Sequence, residues 1–268
     1  MSTQVDYKSL GLTAAENYQR CFVPVIPGPL AGDLIELIAP QPGEFVVDVA
    51  CGTGVVARLV AERVGAEGRV VGVDLNPDML RIARVIPAAA PIEWRQANAE
   101  ALPLPDDSYD LVLCQLGLMF VPDQTAAVSE MRRVLSTGGR VAISVPAEMP
   151  RLWKVFADAL GAHIAPELTG FVTLVFSLTD PNVITGLLRE AGFDEVTVTT
   201  TTKTLRLPAA KDFVWQYISA TPLAELVAAA DDDRRHRLES EVVAEWETYV
   251  DGDGLAYDQQ MLIATASK

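Results

Sequence analysis

The chain has 268 residues, half of them hydrophobic, which suits one α/β domain with an appendage or two small domains. Its 36 acidic against 21 basic residues give a net charge of -15, and Arg234, Arg235 and Arg237 directly follow Asp231, Asp232 and Asp233 instead of joining a basic face. Nucleic acid is thereby disfavoured as a partner, and a small-molecule ligand is expected.

In chain order, residues 13–21 have helical character, 22–29 are broken by prolines, and a second helix is expected over 30–38. A turn at 40–44 leads into the run Phe45-Val46-Val47-Asp48-Val49, nearly continuously apolar as in a strand covered on both faces. The small residues Ala50-Cys51-Gly52-Thr53-Gly54 follow, then a helix over 53–64 and a second apolar strand, 69–73, ending at Asp74. This is a nucleotide-binding βαβ unit: small residues let backbone approach a ligand, and the second acid can take ribose hydroxyls. Helix 77–85 starts at Pro77, and short strands follow at 92–96 and 109–114. Helix 123–135, a turn at 137–139 and strand 140–145 complete the alternation of a doubly wound sheet.

Beyond Pro146 the rhythm changes. Residues 150–179 are rich in large apolar side chains, among them Trp153, Phe156, Phe171 and Phe176. A helix over 182–191 stops at Gly192, a Thr-rich strand covers 195–207, helices are expected at 211–219 and 223–246, and a last strand at 259–266. The intervening Asp251-Gly252-Asp253-Gly254 is a turn, because the remaining ligands of a calcium loop are missing.

Cys21, Cys51 and Cys114 are widely spaced without a CxxC pair, so neither a zinc site nor a disulfide framework is expected, and a reducing, cytoplasmic setting is. Residues 1–6 lack the marks of a signal peptide, and no run reaches the roughly eighteen uncharged apolar residues of a membrane span.

Gly52-Thr53-Gly54-Val55-Val56-Ala57 satisfies GxGxxA, which also serves nicotinamide dinucleotides. Asp48 opposes that option, since a pyrophosphate requires a helix N-terminus free of nearby negative charge. S-adenosylmethionine carries an ammonium and a sulfonium and tolerates an acid there. Asp48 can equally cap the following backbone, Gly52 and Gly54 can simply make a tight turn, and Asn98 can be an ordinary turn residue. Leu75 and Met79 have the spacing of plain helix packing.

The order Val-Val-Asp-Val-Ala-Cys-Gly-Thr-Gly, Gly-Val-Asp-Leu-Asn-Pro-Asp-Met-Leu, Asn-Ala-Glu-Ala-Leu-Pro-Leu-Pro-Asp, Tyr-Asp-Leu-Val-Leu-Cys-Gln and Leu-Ser-Thr-Gly-Gly-Arg-Val, over residues 46–145, resembles the class I S-adenosylmethionine-dependent methyltransferases, in particular the ubiquinone/menaquinone-biosynthesis group. The resemblance implies a Rossmann-like, mostly parallel seven-stranded sheet with N-terminal helices and an α-helical lid insertion. The corresponding segments are a helical lid over 1–40, a cofactor-binding core over 41–146, an acceptor-lid insertion over 147–180, and a part completing the sheet over 181–268 with a helical insertion at 209–250.

It also implies that Asp48, Ala50, Cys51, Gly52 and Gly54 line the methionine part of the cofactor, Asp74 the ribose, and Leu75, Met79, Asn98 and Ala99 the adenine. Gln115 and Tyr18 are further expected contacts. Phe22, Met119, Trp153, Phe171 and Phe176 are expected at the acceptor, with His163 as a candidate base. Ala50 stands where the family often has glycine, so it is expected to keep a negative φ. Asn98 stands where aspartate is common and can still accept from the adenine amino group, without charge assistance.

A hydrophobic acceptor such as a quinone or polyketide is expected, methylated on oxygen, carbon or nitrogen, with no metal and an oligomeric state that cannot be read from the sequence. The competing readings are a non-methylating binder of the cofactor, including a cyclase-like catalyst, and a nicotinamide-dependent oxidoreductase.

Overall fold

The computed structural model describes residues 13–268; residues 1–12, which include the start of the expected 1–40 segment, lie outside the described residues. Packing divides the chain into two interleaved units, one a sheet with its covering helices (28–148, 175–202, 260–268), the other largely helical (13–27, 149–174, 203–259).

The elements are α1 (Ala14–Asn17), a π-helical turn Tyr18–Phe22, α2 (Pro27–Ile38), β1 (Phe45–Val49), α3 (Val55–Val64), β2 (Arg69–Asp74), α4 (Pro77–Val85), β3 (Ile92–Gln96), β4 (Tyr109–Gln115), a 3-10 turn Leu118–Phe120, α5 (Gln124–Val134) and β5 (Leu135–Pro146). They continue as α6 (Arg151–His163), α7 (Leu168–Val175), α8 (Pro181–Glu190), β6 (Asp194–Leu207), α9 (Ala210–Ser219), α10 (Leu223–Ala229), α11 (Asp232–Trp246), a 3-10 turn Glu247–Tyr249, β7 (Val250–Asp251) and β8 (Gly254–Ser267).

The strand order is β3-β2-β1-β4-β5-β8-β6, the expected seven strands, with the two-residue β7 added as an eighth on β8. Strands β1 to β5 run parallel, in registers such as Val46 beside Val70 and Leu111, and β8 is antiparallel to β5. The order reverses between β1 and β4, where a doubly wound sheet opens a crevice at the carboxyl ends of its strands.

Side chains alternate across this sheet. Val46, Val70, Leu111 and Leu113 pack with α2 and α3 through Leu34, Ile35, Val56 and Val60. Val47, Val71, Val112 and Cys114 pack on the other face with α5 and α8 through Val128, Met131, Ile184 and Leu188. The apolar run of β1 is therefore buried on both faces, and helix α2 belongs to the sheet unit, not with the preceding N-terminal helix.

Three expected elements differ in detail. The turn at 137–139 persists as a bulge inside β5: Tyr109 pairs with Leu135 but Leu111 with Arg140, so the extra residues loop out. The expected helix 223–246 is two helices, because Asp231 accepts a hydrogen bond from the Arg234 N–H and starts α11 afresh. The 251–254 turn joins β7 to β8, with Arg206 ion-paired to Asp251.

In the helical unit a continuous set of rings forms the core. Phe156, Phe213 and Tyr217 pack around Trp153, whose indole N–H donates to the Tyr257 hydroxyl at 3.1 Å, and Trp246 packs on Phe156 and Phe213. The Trp246 indole N–H in turn donates to the Leu152 carbonyl at 3.0 Å. Among the described residues no single helix is long and apolar enough to cross a membrane, and no cluster of metal-ligating side chains occurs.

One close contact ties the βαβ unit together. The Trp94 ring from β3 lies across Gly72 of β2, where a Cβ would fall 2.4 Å from it. Gly72→Ala is expected to lose about 1–3 kcal/mol of stability through overpacking. Trp94→Leu in the same chain should recover much of that loss, so urea unfolding of the four proteins yields a coupling energy; strictly additive losses would refute the contact.

Candidate functional site

Strand β1 delivers Asp48 to its carboxyl end, on the same face as Val46 and therefore toward α3. Helix α3 begins at Gly54, an N-cap without a side chain, so its first turn lacks the usual local acceptor. Asp48 supplies one from the strand: its Oδ2 accepts the Ala57 N–H at 3.0 Å. The capping role left open by the sequence is thus formed. Burial pushes the Asp48 carboxyl up to about 7, against the pull of the Ala57 N–H, with the Asp74 charge adding to the rise and Arg58 opposing it.

Asp74 closes β2 in the same manner. Its Oδ2 accepts the Gly52 N–H at 2.7 Å and its Oδ1 the Asn76 N–H at 2.8 Å, so one carboxylate joins the turn after β1 to the turn after β2. Burial raises its pKa as well, while the backbone N–H groups of Asn76 and Gly52 restrain the shift. Asn76 caps α4 through the Asp78 and Met79 N–H groups.

Between the two acids the backbone is left-handed at alternate residues, with φ +56° at Ala50, +55° at Gly52 and +83° at Gly54. The expected negative φ at Ala50 is overturned. Such a conformation costs an alanine about 1–2 kcal/mol. It persists because the neighbouring N–H groups are held, Cys51 to the Val73 carbonyl at 3.0 Å and Gly52 to Asp74. Space for the Ala50 methyl comes from Gly117, where a Cβ would sit 2.5 Å from it. Across the switch point Leu116 is also left-handed, φ +53°, with its N–H on the Ser144 carbonyl at 2.8 Å.

The other expected cofactor residues of the sheet unit lie at the same carboxyl ends. Gln115 is buried at the tip of β4, Cys51 is buried beside Gly72, and Leu75 is 66% exposed with Met79 half-buried on α4. Asn98 is exposed, and its side chain is engaged in its own turn, accepting the Glu100 N–H at 3.1 Å and donating to Glu100 Oε2 at 2.9 Å. Glu100 also accepts the Asp123 N–H at the start of α5, which fixes the segment holding buried Ala99. Met119 is packed in the core beside α5, while its neighbour Phe120 is 48% exposed.

The remaining expected residues are carried by other elements. Tyr18, Phe22 and Trp153 are rings of the helical unit's core. His163 ends α6 with its Nε2 2.6 Å from Glu241 Oε2, and its carbonyl accepts from Arg234, so it fastens α6 to α11. Phe171 is half-buried on α7, and Phe176, half-buried, follows that helix in the sheet unit.

Sequence reasoning passed over Arg58, Thr53 and Trp94. Arg58 donates to the Thr53 carbonyl at 2.7 Å and bears on Asp48; its position four residues after Gly54, on one helix face, was the available signal. Thr53 is buried, and its hydroxyl has no partner among the described residues.

Comparison with known proteins bears on the family and the fold. The family described as "Methyltransferase domain" matches residues 47–143. The ubiquinone/menaquinone biosynthesis C-methyltransferase of Xanthomonas campestris pv. campestris is 43% identical over 133 residues, 48% of this chain, and the match spans about half, 53%, of that relative. Its counterpart from Shewanella frigidimarina is 32% identical over 184 residues, covering 63% of this chain and 73% of the relative. The Haemonchus contortus phosphoethanolamine N-methyltransferase 2, solved with phosphomonomethylethanolamine and S-adenosylhomocysteine, shares the fold: 18% identity, a TM-score of 0.59, and coverage of 99% of this chain and 59% of that one. On the strength of this coverage and of a strand-end carboxylate clamp around a glycine turn, the chain belongs to the class I S-adenosylmethionine-dependent methyltransferases and is similar to the ubiquinone/menaquinone-biosynthesis group.

Proposed function

We propose that this chain moves a methyl group from S-adenosyl-L-methionine to a ring carbon of a hydrophobic, quinone-like small molecule. The observation that carries the proposal is the pair of acids at the ends of β1 and β2, held by the glycine turn between them.

The residues suit this cofactor. Each Asp74 oxygen accepts one backbone N–H and keeps lone-pair capacity for a vicinal diol. The Thr53 hydroxyl, without a partner among the described residues, offers a polar contact within the glycine turn, and exposed Leu75 an apolar surface for a base. Asp48, whose carboxyl accepts the Ala57 N–H in the first turn of α3, opposes a pyrophosphate there and argues against a nicotinamide dinucleotide, whereas an acid at Asp74 suits the ribose of either cofactor. Asp48, Ala50, Cys51, Gly52 and Gly54 would hold the methionine end, Asp74 the ribose, and Leu75, Met79, Asn98 and Ala99 the adenine, with Gln115 at the methionine or the acceptor. Once bound, the cofactor supplies an electrophilic methyl on a sulfonium.

The protein's share of the chemistry is then placement and exclusion of water, which accounts for a strained, hydrogen-bonded backbone instead of a nucleophile. Carbon as the acceptor atom is supported by the relatives, named C-methyltransferases. Methylation of a ring carbon demands an electron-rich ring and a base for the displaced proton. His163, already hydrogen-bonded to Glu241, remains the candidate base of the helical unit.

The direct test incubates the protein with methyl-labelled S-adenosylmethionine and a reduced naphthoquinone bearing a free ring carbon. Label recovered on carbon supports the proposal; label on oxygen overturns the carbon assignment, and no transfer to any ring compound tried overturns the function. Asp74→Ala should weaken S-adenosylhomocysteine binding by about 1–3 kcal/mol, read by calorimetry, and unchanged affinity would remove Asp74 from the site.

The raised pKa of Asp48 gives a separate signature. A carboxyl at about 7 in the folded chain, against an ordinary value of 3.8, binds its proton more tightly when folded. Its contribution to stability is therefore full below pH 4 and lost as pH climbs toward 7. Asp48→Asn removes that titration and keeps an oxygen for Ala57. Relative to the variant, the wild type should lose up to about 1.4 kcal/mol per pH unit between pH 4 and 7, by denaturant titration. Parallel curves across that window would show that Asp48 is ionised throughout.

A further inference from the structure

We propose that the helical unit contains a recognition point for a neutral, oxygen-bearing aromatic ring, formed by the hydroxyls of Tyr217 and Tyr257 inside a wall built from Tyr18, Phe22 and Trp153. Only the identification of that ring with the methyl acceptor rests on the methyltransferase reading.

The rings form one chain of contacts. Centroids are 5.3 Å apart for Tyr18 and Phe22, 5.5 Å for Phe22 and Tyr217, 4.9 Å for Trp153 and Tyr217, and 6.4 Å for Trp153 and Tyr257. The Tyr257 hydroxyl is already used by the Trp153 indole N–H, whereas Tyr217 makes only ring contacts, so its hydroxyl is an extra polar group that burial penalises unless it finds a partner. Tyr217 and Tyr257 are each only 5% exposed. The Tyr257 oxygen accepts from the Trp153 indole N–H, which leaves its own O–H to donate elsewhere. The Tyr217 hydroxyl makes no hydrogen bond to any described residue.

Tyr18 and Tyr257 both act on the Tyr217 hydroxyl electrostatically, so the three phenols share one neighbourhood. Two O–H donors thus stand in an aromatic wall, and among the described residues neither has an acceptor.

A second, independent feature marks the same place. Tyr18 and Phe22 are the ends of a π-helical turn, closed by the Val23 N–H on the Tyr18 carbonyl at 2.9 Å. Single π turns are uncommon and concentrate at functional sites. This one is fixed through α1, where the Asn17 amide donates to the Ser219 carbonyl at the end of α9, the helix that carries Tyr217.

The chemistry selects the ligand class. The wall offers ring faces and edges, so it favours an aromatic body. Both donors stay uncharged, because burial raises their pKa values further above neutrality. They suit a neutral acceptor oxygen, as in a phenol, quinol or quinone.

The test titrates the full chain, without methyl donor, with 1-naphthol and with naphthalene, following tryptophan fluorescence. The expected result is tighter binding of 1-naphthol than of naphthalene. Tyr217→Phe and Tyr257→Phe should each weaken 1-naphthol about tenfold while leaving naphthalene and S-adenosylhomocysteine unchanged. Tyr217→Phe carries the decision, since it removes no partner of Trp153 and should not lower the melting temperature, whereas loss of a structural hydroxyl would. Absent binding of 1-naphthol, equal binding of the two probes, or wild-type affinity in Tyr217→Phe overturns the proposal. If 1-naphthol binds through the hydroxyls but the wild type transfers no label to any ring compound, the site stands and the transferase reading falls.

Discussion

The crevice end of the sheet is organised by carboxylates that satisfy backbone. Turns after β1 and β2 must leave the sheet abruptly, which strips N–H groups of ladder partners and leaves the first turn of α3 without a cap. Asp48 and Asp74 answer three of those N–H groups, of Ala57, Gly52 and Asn76. Once these are fixed, the path between them has little freedom, and Ala50 is driven into a left-handed conformation that its own side chain disfavours. Gly117, on the far side of the switch point, completes the arrangement by leaving room for the Ala50 methyl. The same two acids that shape the backbone are the groups a cationic, ribose-bearing ligand would meet. Structural and ligand-binding readings of Asp48 and Asp74 therefore describe one set of hydrogen bonds with capacity to spare.

Much of this was legible in the residue order because it is local. Strands buried on both faces read as unbroken apolar runs, as at Val46-Val47 and Val70-Val71, and Pro77 and Asp74 mark a helix start and a strand end. What escaped depends on residues distant in sequence. The sign of φ at Ala50 is decided by Gly117 and Asp74, and no local pattern at Ala50 reports either. Helix α2 reads as one more N-terminal helix, but Leu34 and Ile35 pack with Val46 and Val60 and bring it into the sheet unit. The break between α10 and α11 falls at Asp231, inside an acidic run whose capping use is indistinguishable from a solvated helix face.

Burial decided differently for two neighbouring side chains in the 3-10 turn after β4. Met119 has the composition of an acceptor contact but is consumed by the packing of α5, whereas Phe120, one residue on, stays half-exposed. A turn that follows a strand rotates its side chains through a full circle in three residues, so neither periodicity of two nor of 3.6 assigns their directions. The aromatic residues of the helical unit present the opposite difficulty. Large rings at helical spacing are the ordinary material of a core, and Phe156, Phe213 and Trp246 serve as that. Only the hydrogen-bond inventory separates Tyr217 from them.

The charge of the protein then acquires a local meaning. The net charge of -15 reflects an excess of acids over bases, and among the acids Asp48 and Asp74 are withdrawn from water at the end of the sheet. Burial raises the proton affinity of both, the Asp74 charge adds to the rise at Asp48, and a cationic ligand would relieve that penalty by supplying counter-charge. Arg58 provides part of it, its guanidinium also donating to the Thr53 carbonyl. The folded chain therefore keeps an electrostatic imbalance at the crevice that a sulfonium and an ammonium offset and a phosphate would aggravate.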